Sequence, residues 1–138
     1  NERLTSQEFD PEGKLTQEDY VIHFLPNQSW QKEKGGTLRL GVYECNLTPS
    51  SKTRGFYGKA QIQERHRHRY EFNNIFREKL ESAGWIAAGI NEKTNLVEIA
   101  ELKDHPFMIG SQFHPEFLSR PHRPHPLFFN FIKASIKG

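Results

Sequence analysis

One long strand is predicted by residues 61–70, which read Gln61-Ile62-Gln63-Glu64-Arg65-His66-Arg67-His68-Arg69-Tyr70. The alternation of residue types every second position is typical of an extended chain, whose successive side chains point to opposite faces of a sheet. We therefore expect the three arginines of this segment on one face and its two histidines on the other. Because like charges repel one another, the arginine face needs a structural or functional reason.

Four explanations of this charged strand are compatible with the residues. A solvated edge strand is one, because charged side chains discourage an edge from pairing with another chain. A nucleic-acid surface is another, although few aromatic side chains are interleaved with the arginines. A metal site at His66 and His68 lacks matching ligands at a usable spacing. The fourth is a grip on a carboxylate, since a guanidinium donates a forked pair of charge-assisted bonds, each contributing about 1.5–3 kcal/mol.

A second motif is Gln112-Phe113-His114-Pro115-Glu116-Phe117, at the end of a short apolar run that predicts a buried strand over 107–113. His114 would then lie at a strand end, where open α/β sheets place their chemistry. An imidazole can act as general base and then as general acid, contributing about 10²–10⁴ in rate. Glu116 is the nearest carboxylate that could orient the ring, since Pro115 restricts the turn between them. Without its neighbours, the motif is equally typical of an ordinary turn.

The remaining periodicity predicts a mixed α/β chain. A helical turn is expected within 50–58, a helix capped by Asn73 or Asn74 runs to about Ala83 with Gly84 after its end, and an amphipathic helix covers 125–137. The apolar stripe of that last helix needs a surface to cover it. The further predicted strands are Tyr20–Leu25, Thr37–Tyr43, Trp85–Ile90 and Leu96–Leu102, the last two joined by a hairpin loop.

Composition narrows the class of protein. The 138 residues, 35% of them hydrophobic, fit one small domain, and 19 basic against 17 acidic residues give no overall field that favours nucleic acid or an anionic membrane. The sequence lacks an apolar run of about 18 residues and a signal-peptide core, so a cytoplasmic location is expected. The single cysteine, Cys45, excludes a disulfide framework and a cysteine-rich zinc site. The only methionine is Met108, so we expect the chain to be a piece of a longer protein.

The other residues capable of chemistry are assigned structural or surface positions. Cys45 lacks the small neighbours of a nucleophile on a tight strand-to-helix elbow, and the adjacent Glu44 would raise its thiol pKa. His122 and His125 alternate with prolines and are expected at the surface. Glu8 reads as an ordinary loop carboxylate.

Seven segments occur in an order and at a spacing that is similar to a known family, and they cover nearly the whole chain: Glu8–Pro11, Gly35–Gly41, Glu64–Glu71, Val97–Ile99, Gln112–Phe117, Ser119–Pro121 and His125–Phe128. Together they resemble the carboxy-terminal part of the class I glutamine amidotransferase domain of CTP synthases. The resemblance implies an α/β fold, a sheet flanked by helices, with residues 1–138 forming only the carboxy-terminal half of the domain.

The resemblance also implies roles for four residues. In that family a cysteine on an elbow attacks the side-chain amide of glutamine. The positions that match place the proton shuttle at His114 and the residue that orients it at Glu116. Glu8 and Arg69 match the positions that hold the amino-acid portion of glutamine.

The family's other parts are expected elsewhere. The nucleophile-bearing, amino-terminal part is expected upstream of Asn1, so this chain alone is expected to be inactive on glutamine. Ammonia would pass to a separate synthase domain that aminates UTP to CTP with ATP and magnesium, under activation by GTP. No cofactor or metal is expected in this chain, and neither nucleic acid nor membrane is expected as a partner. The alternative function is a non-catalytic module that binds glutamine or a partner chain.

Overall fold

A computed structural model describes residues 4–24 and 39–136. The strands in these ranges are β1 (Thr5–Ser6), β2 (Tyr20–Phe24), β3 (Arg39–Leu47), β4 (Gln61–His68), β5 (Tyr70–Phe72), β6 (Trp85–Asn91), β7 (Leu96–Leu102) and β8 (Ile109–Ser111). The helices are α1 (Lys52–Tyr57), α2 (Arg77–Ser82) and α3 (Pro126–Ile136), with 3₁₀ turns at Gln7–Phe9, Asn74–Phe76 and Pro115–Phe117. None of the helices in these ranges combines the length and the apolar character needed to cross a bilayer.

The strands form two sheets, which are connected where the chain runs from β4 into β5. Five strands pair antiparallel in the order β4-β3-β6-β7-β8, while β2 lies between a parallel β1 and an antiparallel β5 in the second sheet. Only Arg69 separates β4 from β5, so the chain bends there and passes from one sheet into the other. The predicted α/β class is confirmed. Arg69 forms the joint between the two sheets.

The predicted alternation along β4 is also confirmed. Arg65 and Arg67 are exposed, whereas Glu64 and His66 are only 2% and 1% exposed. The strand is an edge of its sheet, which fits the expectation that charged side chains protect an unpaired edge. The buried face therefore carries two ionisable groups, Glu64 and His66, beside the apolar Ile62.

Local signals predicted the helix ends well. The side chain of Asn73 accepts a hydrogen bond from the backbone of Ile75 at 3.2 Å, as expected of a cap, but the first turn is 3₁₀ and the α-helical part begins at Arg77. Gly84 follows the helix with φ +92°, a conformation that other residues adopt with strain. The predicted strand at 107–113 is shorter, with β8 pairing over Ile109–Ser111. Of the other predictions, Leu25, residues 35–38 and Lys137 lie outside the described residues.

Two apolar clusters stabilise the fold. The larger one joins β3, β6 and β7 to the last helix, and its buried members are Cys45, Leu47, Ile62, Ala88, Ile99, Phe113 and Leu127. The smaller one joins the two sheets through Phe72, Phe76, Ala87 and Val97. The apolar stripe predicted for α3 is only partly used, because Leu127 is buried while Phe129, Phe131 and Ile132 are each half exposed or more.

Gly89 marks the tightest point of the larger cluster. A methyl group there would lie 2.6 Å from Cys45 Sγ and 2.9 Å from Ile99 Cγ1, both side chains that are fully buried. We expect Gly89→Ala to lower the free energy of unfolding by about 1–3 kcal/mol, as overpacked cores do. Urea unfolding followed by circular dichroism measures the change.

Gly55→Ala is the matched control, since Gly55 lies within α1 and a methyl group there meets nothing within 4 Å. It should stabilise the protein by roughly 0.5–1 kcal/mol, because alanine favours a helix interior. Equal effects of the two substitutions would contradict the proposed packing at Gly89.

Candidate active site

His114 and Glu116 form a pair at the surface next to β4. His114 Nδ1 lies 2.7 Å from Glu116 Oε1, and their side chains are 38% and 55% exposed. Pro115 begins the 3₁₀ turn that brings the carboxylate back under the ring, and the Phe117 ring stacks on the imidazole at 5.0 Å between centroids. The backbone N–H of His114 donates to the carbonyl of Arg65 at 2.9 Å, which fastens the motif to the edge strand.

The contact decides which imidazole nitrogen is basic. The hydrogen bond from His114 is the main reason that the pKa of Glu116 is lowered, so the side chain is a carboxylate near neutral pH. A carboxylate only accepts, so Nδ1 carries the hydrogen and Nε2 holds the free lone pair. An oriented imidazole with Nε2 available for proton transfer is the arrangement that general base catalysis requires.

Glu8 and Arg69 line one cleft of about 460 Å³, together with Phe24 and Tyr70. Glu8 belongs to the 3₁₀ turn Gln7–Phe9, which is tied to β2 by a hydrogen bond from the Phe24 N–H to the Gln7 side chain at 2.8 Å. Arg69 enters from the bend between the two sheets. The cleft therefore presents a carboxylate and a guanidinium, the groups that complement the ammonium and the carboxylate of an amino acid.

The two parts lie toward opposite ends of one segment of chain. His114 is bonded to the backbone of Arg65, and Arg69 follows four residues later. At about 3.3 Å per residue, that separation is roughly 13 Å along the strand. His114 is outside the set of residues that line the Glu8–Arg69 cleft.

A buried ionic network under β4 went unrecognised in the sequence. Arg39 Nη2 on β3 lies 2.5 Å from Glu98 Oε1 on β7, in ion-pair contact rather than as an aligned hydrogen bond. The other carboxylate oxygen of Glu98 lies 3.1 Å from His66 Nε2, and His66 Nδ1 lies 2.7 Å from His68 Nε2. Glu71 on β5 completes the network, 3.7 Å from Arg39 and 3.5 Å from His68. The network thus connects four strands, β3, β4, β5 and β7, beneath the bend at Arg69.

Burial shifts the protonation of this network toward neutral forms. It lowers the pKa of His66 to about 3, raises that of Glu71 to about 7, and raises that of Glu98. His66 and His68 bond to each other, and the described residues include no group of three or more His, Cys, Asp or Glu side chains able to hold a metal ion. The hydrogen bond between the two rings makes both histidines members of this network.

His125 is a second buried histidine, and its expected surface position is wrong. It is 3% exposed, and its Nε2 lies 2.9 Å from Glu64 Oε1, which also accepts a bond from the Tyr57 hydroxyl at 2.8 Å. The backbone N–H of Leu127 donates to His125 Nδ1 at 3.3 Å, so Nε2 carries the hydrogen and donates to the carboxylate. The burial of Glu64 and the start of an apolar helix at Pro126 explain why this histidine turns inward.

Cys45 is fully buried in the larger apolar cluster. Burial raises the pKa of its thiol, so the thiolate needed for attack is disfavoured. The expectation that Cys45 is not a nucleophile agrees with this position.

Comparisons with known proteins show which family this chain belongs to. The family model for class-I glutamine amidotransferases matches residues 11–134. The CTP synthase of Herpetosiphon aurantiacus is 51% identical over 132 residues, which are 96% of this chain and 24% of that protein. The CTP synthase of Synechococcus sp. is 49% identical over 137 residues, 99% of this chain and 24% of that protein.

A solved structure has the same fold. The glutaminase domain of Trypanosoma brucei CTPS with bound acivicin superimposes with a TM-score of 0.84 and 30% identity, over 98% of this chain and 51% of that one. The chain spans about a quarter of the length of the CTP synthases it matches. The resemblance to CTP synthases inferred from the sequence motifs is confirmed, and the chain belongs to the class I glutamine amidotransferase family.

Proposed function

We propose that this chain supplies the proton-shuttling and substrate-holding parts of a glutaminase that releases ammonia from the side-chain amide of glutamine. The observation that carries the proposal is the oriented His114–Glu116 pair fastened to β4, the strand that continues into the Glu8–Arg69 cleft. All four side chains are exposed or partly exposed, so a substrate can reach them.

Glu8 and Arg69 are proposed to hold the amino-acid end of glutamine. The Glu8 carboxylate would pair with the substrate ammonium, and the Arg69 guanidinium would grip the α-carboxylate through two parallel N–H···O bonds. The rings of Phe24 and Tyr70, with centroids 4.4 Å apart and planes tilted by 35°, form an apolar wall of the same cleft. These contacts leave the carboxamide end of the substrate free to extend away from the cleft.

His114 is proposed to move the protons. Its Nε2 takes the proton of an attacking thiol as a carbon–sulfur bond forms at the amide carbon, and then returns it to the nitrogen as the carbon–nitrogen bond breaks and ammonia leaves. Water then attacks the thioester, His114 accepts the water proton, and glutamate departs as the thiol is restored. Glu116 stabilises the imidazolium in both steps.

The nucleophile is proposed to come from polypeptide outside this chain. Cys45 is the only cysteine here and it is fully buried. On this basis residues 1–138 by themselves are proposed to be inactive, because removing a covalent nucleophile leaves only binding and electrostatic effects.

The fate of the ammonia is proposed from the similarity to CTP synthases. A separate synthase domain would use it to convert UTP to CTP, a step of pyrimidine nucleotide synthesis that consumes ATP with magnesium and is activated by GTP. A cytoplasmic location belongs to the same proposal, since the one thiol is unpaired. The alternative is a module that binds glutamine or a partner chain without hydrolysis.

The Arg69 guanidinium is the proposed substrate clamp. It is tested by replacing Arg69 with alanine in the full-length protein and measuring glutamate release against glutamine concentration. The loss of even one of the two proposed charge-assisted bonds, about 1.5–3 kcal/mol, should raise KM about 10- to 150-fold, and the loss of both should raise it further. The value of kcat should change little, because the α-carboxylate is held equally in the ground state and in the transition state.

Arg67→Ala is the matched control, since Arg67 is exposed on the same strand face two residues away and does not line the cleft. Its KM should stay near that of the parent protein. Equal KM values for the two variants would count against the clamp, while saturable glutamine binding without any glutamate release in the parent protein would favour the binding module.

A further inference from the structure

The direction of the Arg69 side chain depends on a joint of one residue. Arg69 alone separates β4, in the five-stranded sheet, from β5, in the three-stranded sheet. The Arg69 backbone is not part of the strand pairing in either sheet, because the residue belongs to neither strand. Ordering a flexible, exposed arginine when a ligand binds costs conformational entropy and weakens binding. The cost is smaller if another contact already holds the bend.

The His68 ring spans this joint. Its Nδ1 lies 2.9 Å from the carbonyl oxygen of Tyr70, so a side chain just before the bend bonds to the backbone just after it. A carbonyl only accepts, and Nδ1 must therefore donate. His68 Nε2 lies 2.7 Å from His66 Nδ1, so a hydrogen bond also joins the two rings.

The spanning ring is anchored in the interior of the protein. His66 is 1% exposed and contacts Glu98 at 3.1 Å. Burial lowers the pKa values of His66 and His68, which favours the neutral form of both rings. At His68 the hydrogen bond to the Tyr70 carbonyl raises the pKa, but desolvation lowers it by more.

The far side of the bend is held by the same network. Glu71 is 1% exposed, and its Oε1 lies 3.5 Å from His68 Nδ1 and 3.7 Å from Arg39 Nη1. Tyr70, between Arg69 and Glu71, packs its ring against Phe24 at the wall of the cleft. The residues on both sides of Arg69 are therefore fixed, while its own side chain is left free to face the cleft.

We propose that His68 is a positioning residue for the substrate clamp, whose ring locks the bend so that the Arg69 guanidinium faces Glu8 across the cleft. The inference rests on the proposed function, since it assigns Arg69 the α-carboxylate of glutamine. His68 touches no substrate and acts through Arg69.

Three substitutions at this position separate the bonds that the ring makes. His68→Ala removes both. His68→Asn places an amide N–H near the position of Nδ1 and retains the bond to the Tyr70 carbonyl, whereas His68→Gln places its amide near Nε2 and loses that bond. In the full-length protein, His68→Ala and His68→Gln should raise KM for glutamine about 10-fold with little change in kcat, and His68→Asn should recover most of the loss.

A double-mutant cycle separates positioning from general destabilisation. If His68 acts through Arg69, adding His68→Ala to Arg69→Ala should change KM by less than about twofold, because the side chain it positions is already gone. An equal loss in both backgrounds, or an unchanged KM in His68→Ala, would overturn the inference. A wild-type KM in Arg69→Ala would instead overturn the clamp, and the inference with it.

Hydrogen exchange of the ligand-free protein gives a readout that needs no activity. The backbone amides of residues 69–71 should exchange faster in His68→Ala than in the parent protein and return toward the parent rate in His68→Asn. Unchanged exchange in His68→Ala would show that the ring does not hold the bend and would overturn the inference even if glutamine hydrolysis failed to appear.

Discussion

Replacing His114 with alanine in the full-length protein is expected to lower kcat for glutamine hydrolysis by about 10²–10⁴-fold. In the proposed mechanism the imidazole both accepts the proton of the attacking thiol and delivers one to the leaving nitrogen, and alanine can do neither. The KM for glutamine should change little, because Glu8 and Arg69 line the cleft without it. Glutamate release under saturating glutamine measures the effect.

His122→Ala is the control for this experiment, since His122 is exposed eight residues further along the chain. Its activity should match that of the parent protein. If the protein also carries the proposed synthase domain, ammonium added to the medium should restore CTP formation by the His114 variant, because the substitution removes the source of ammonia and leaves its use intact. Glutamine hydrolysis at the parent rate in His114→Ala would contradict the role of this residue.

Replacing Glu98 with leucine is expected to lower the free energy of unfolding by about 3–5 kcal/mol, as other broken buried ion pairs do. Glu98 is 1% exposed and lies 2.5 Å from the Arg39 guanidinium, which is itself 7% exposed. Without Glu98, the carboxylate that remains near Arg39 in the network is Glu71, 3.7 Å away. Urea unfolding of the full-length protein, followed by a signal from this domain, measures the loss.

The double variant Arg39→Met with Glu98→Leu should be more stable than Glu98→Leu alone, because it removes the unpaired cation as well as the anion. Glu92→Ala, in the exposed hairpin loop between β6 and β7, should change the stability by no more than about 0.5 kcal/mol. Additive losses from the two buried substitutions would show that Arg39 and Glu98 do not stabilise each other.

The helices and strands could largely be predicted because their signals are local. The two-residue alternation of β4, the Asn73 cap and the glycine after α2 each act within a few residues, and each was found in the structure. The His114–Glu116 contact belongs to the same class, because a proline turn brings residues two positions apart together.

The errors share a long-range cause. The prolines around His125 are typical of an exposed segment and predict a surface position, yet its partner Glu64 lies 61 residues earlier. Nothing near Arg39 in the sequence indicates that it pairs with Glu98 on another strand. Burial of a charged group depends on which partner the fold brings to it, and pattern recognition along one segment does not contain that information.

By itself, the order of residues determined the strand faces, the helix caps, the pairing of His114 with Glu116 and the resemblance to glutamine amidotransferases. Only the tertiary structure showed that β4 and β5 belong to different sheets, that Arg69 is the joint between them and shares a cleft with Glu8, and that His68 spans that joint. The physical reason is that side-chain direction follows from backbone geometry within a few residues, whereas a cleft and a buried ion pair require segments from distant parts of the chain to meet.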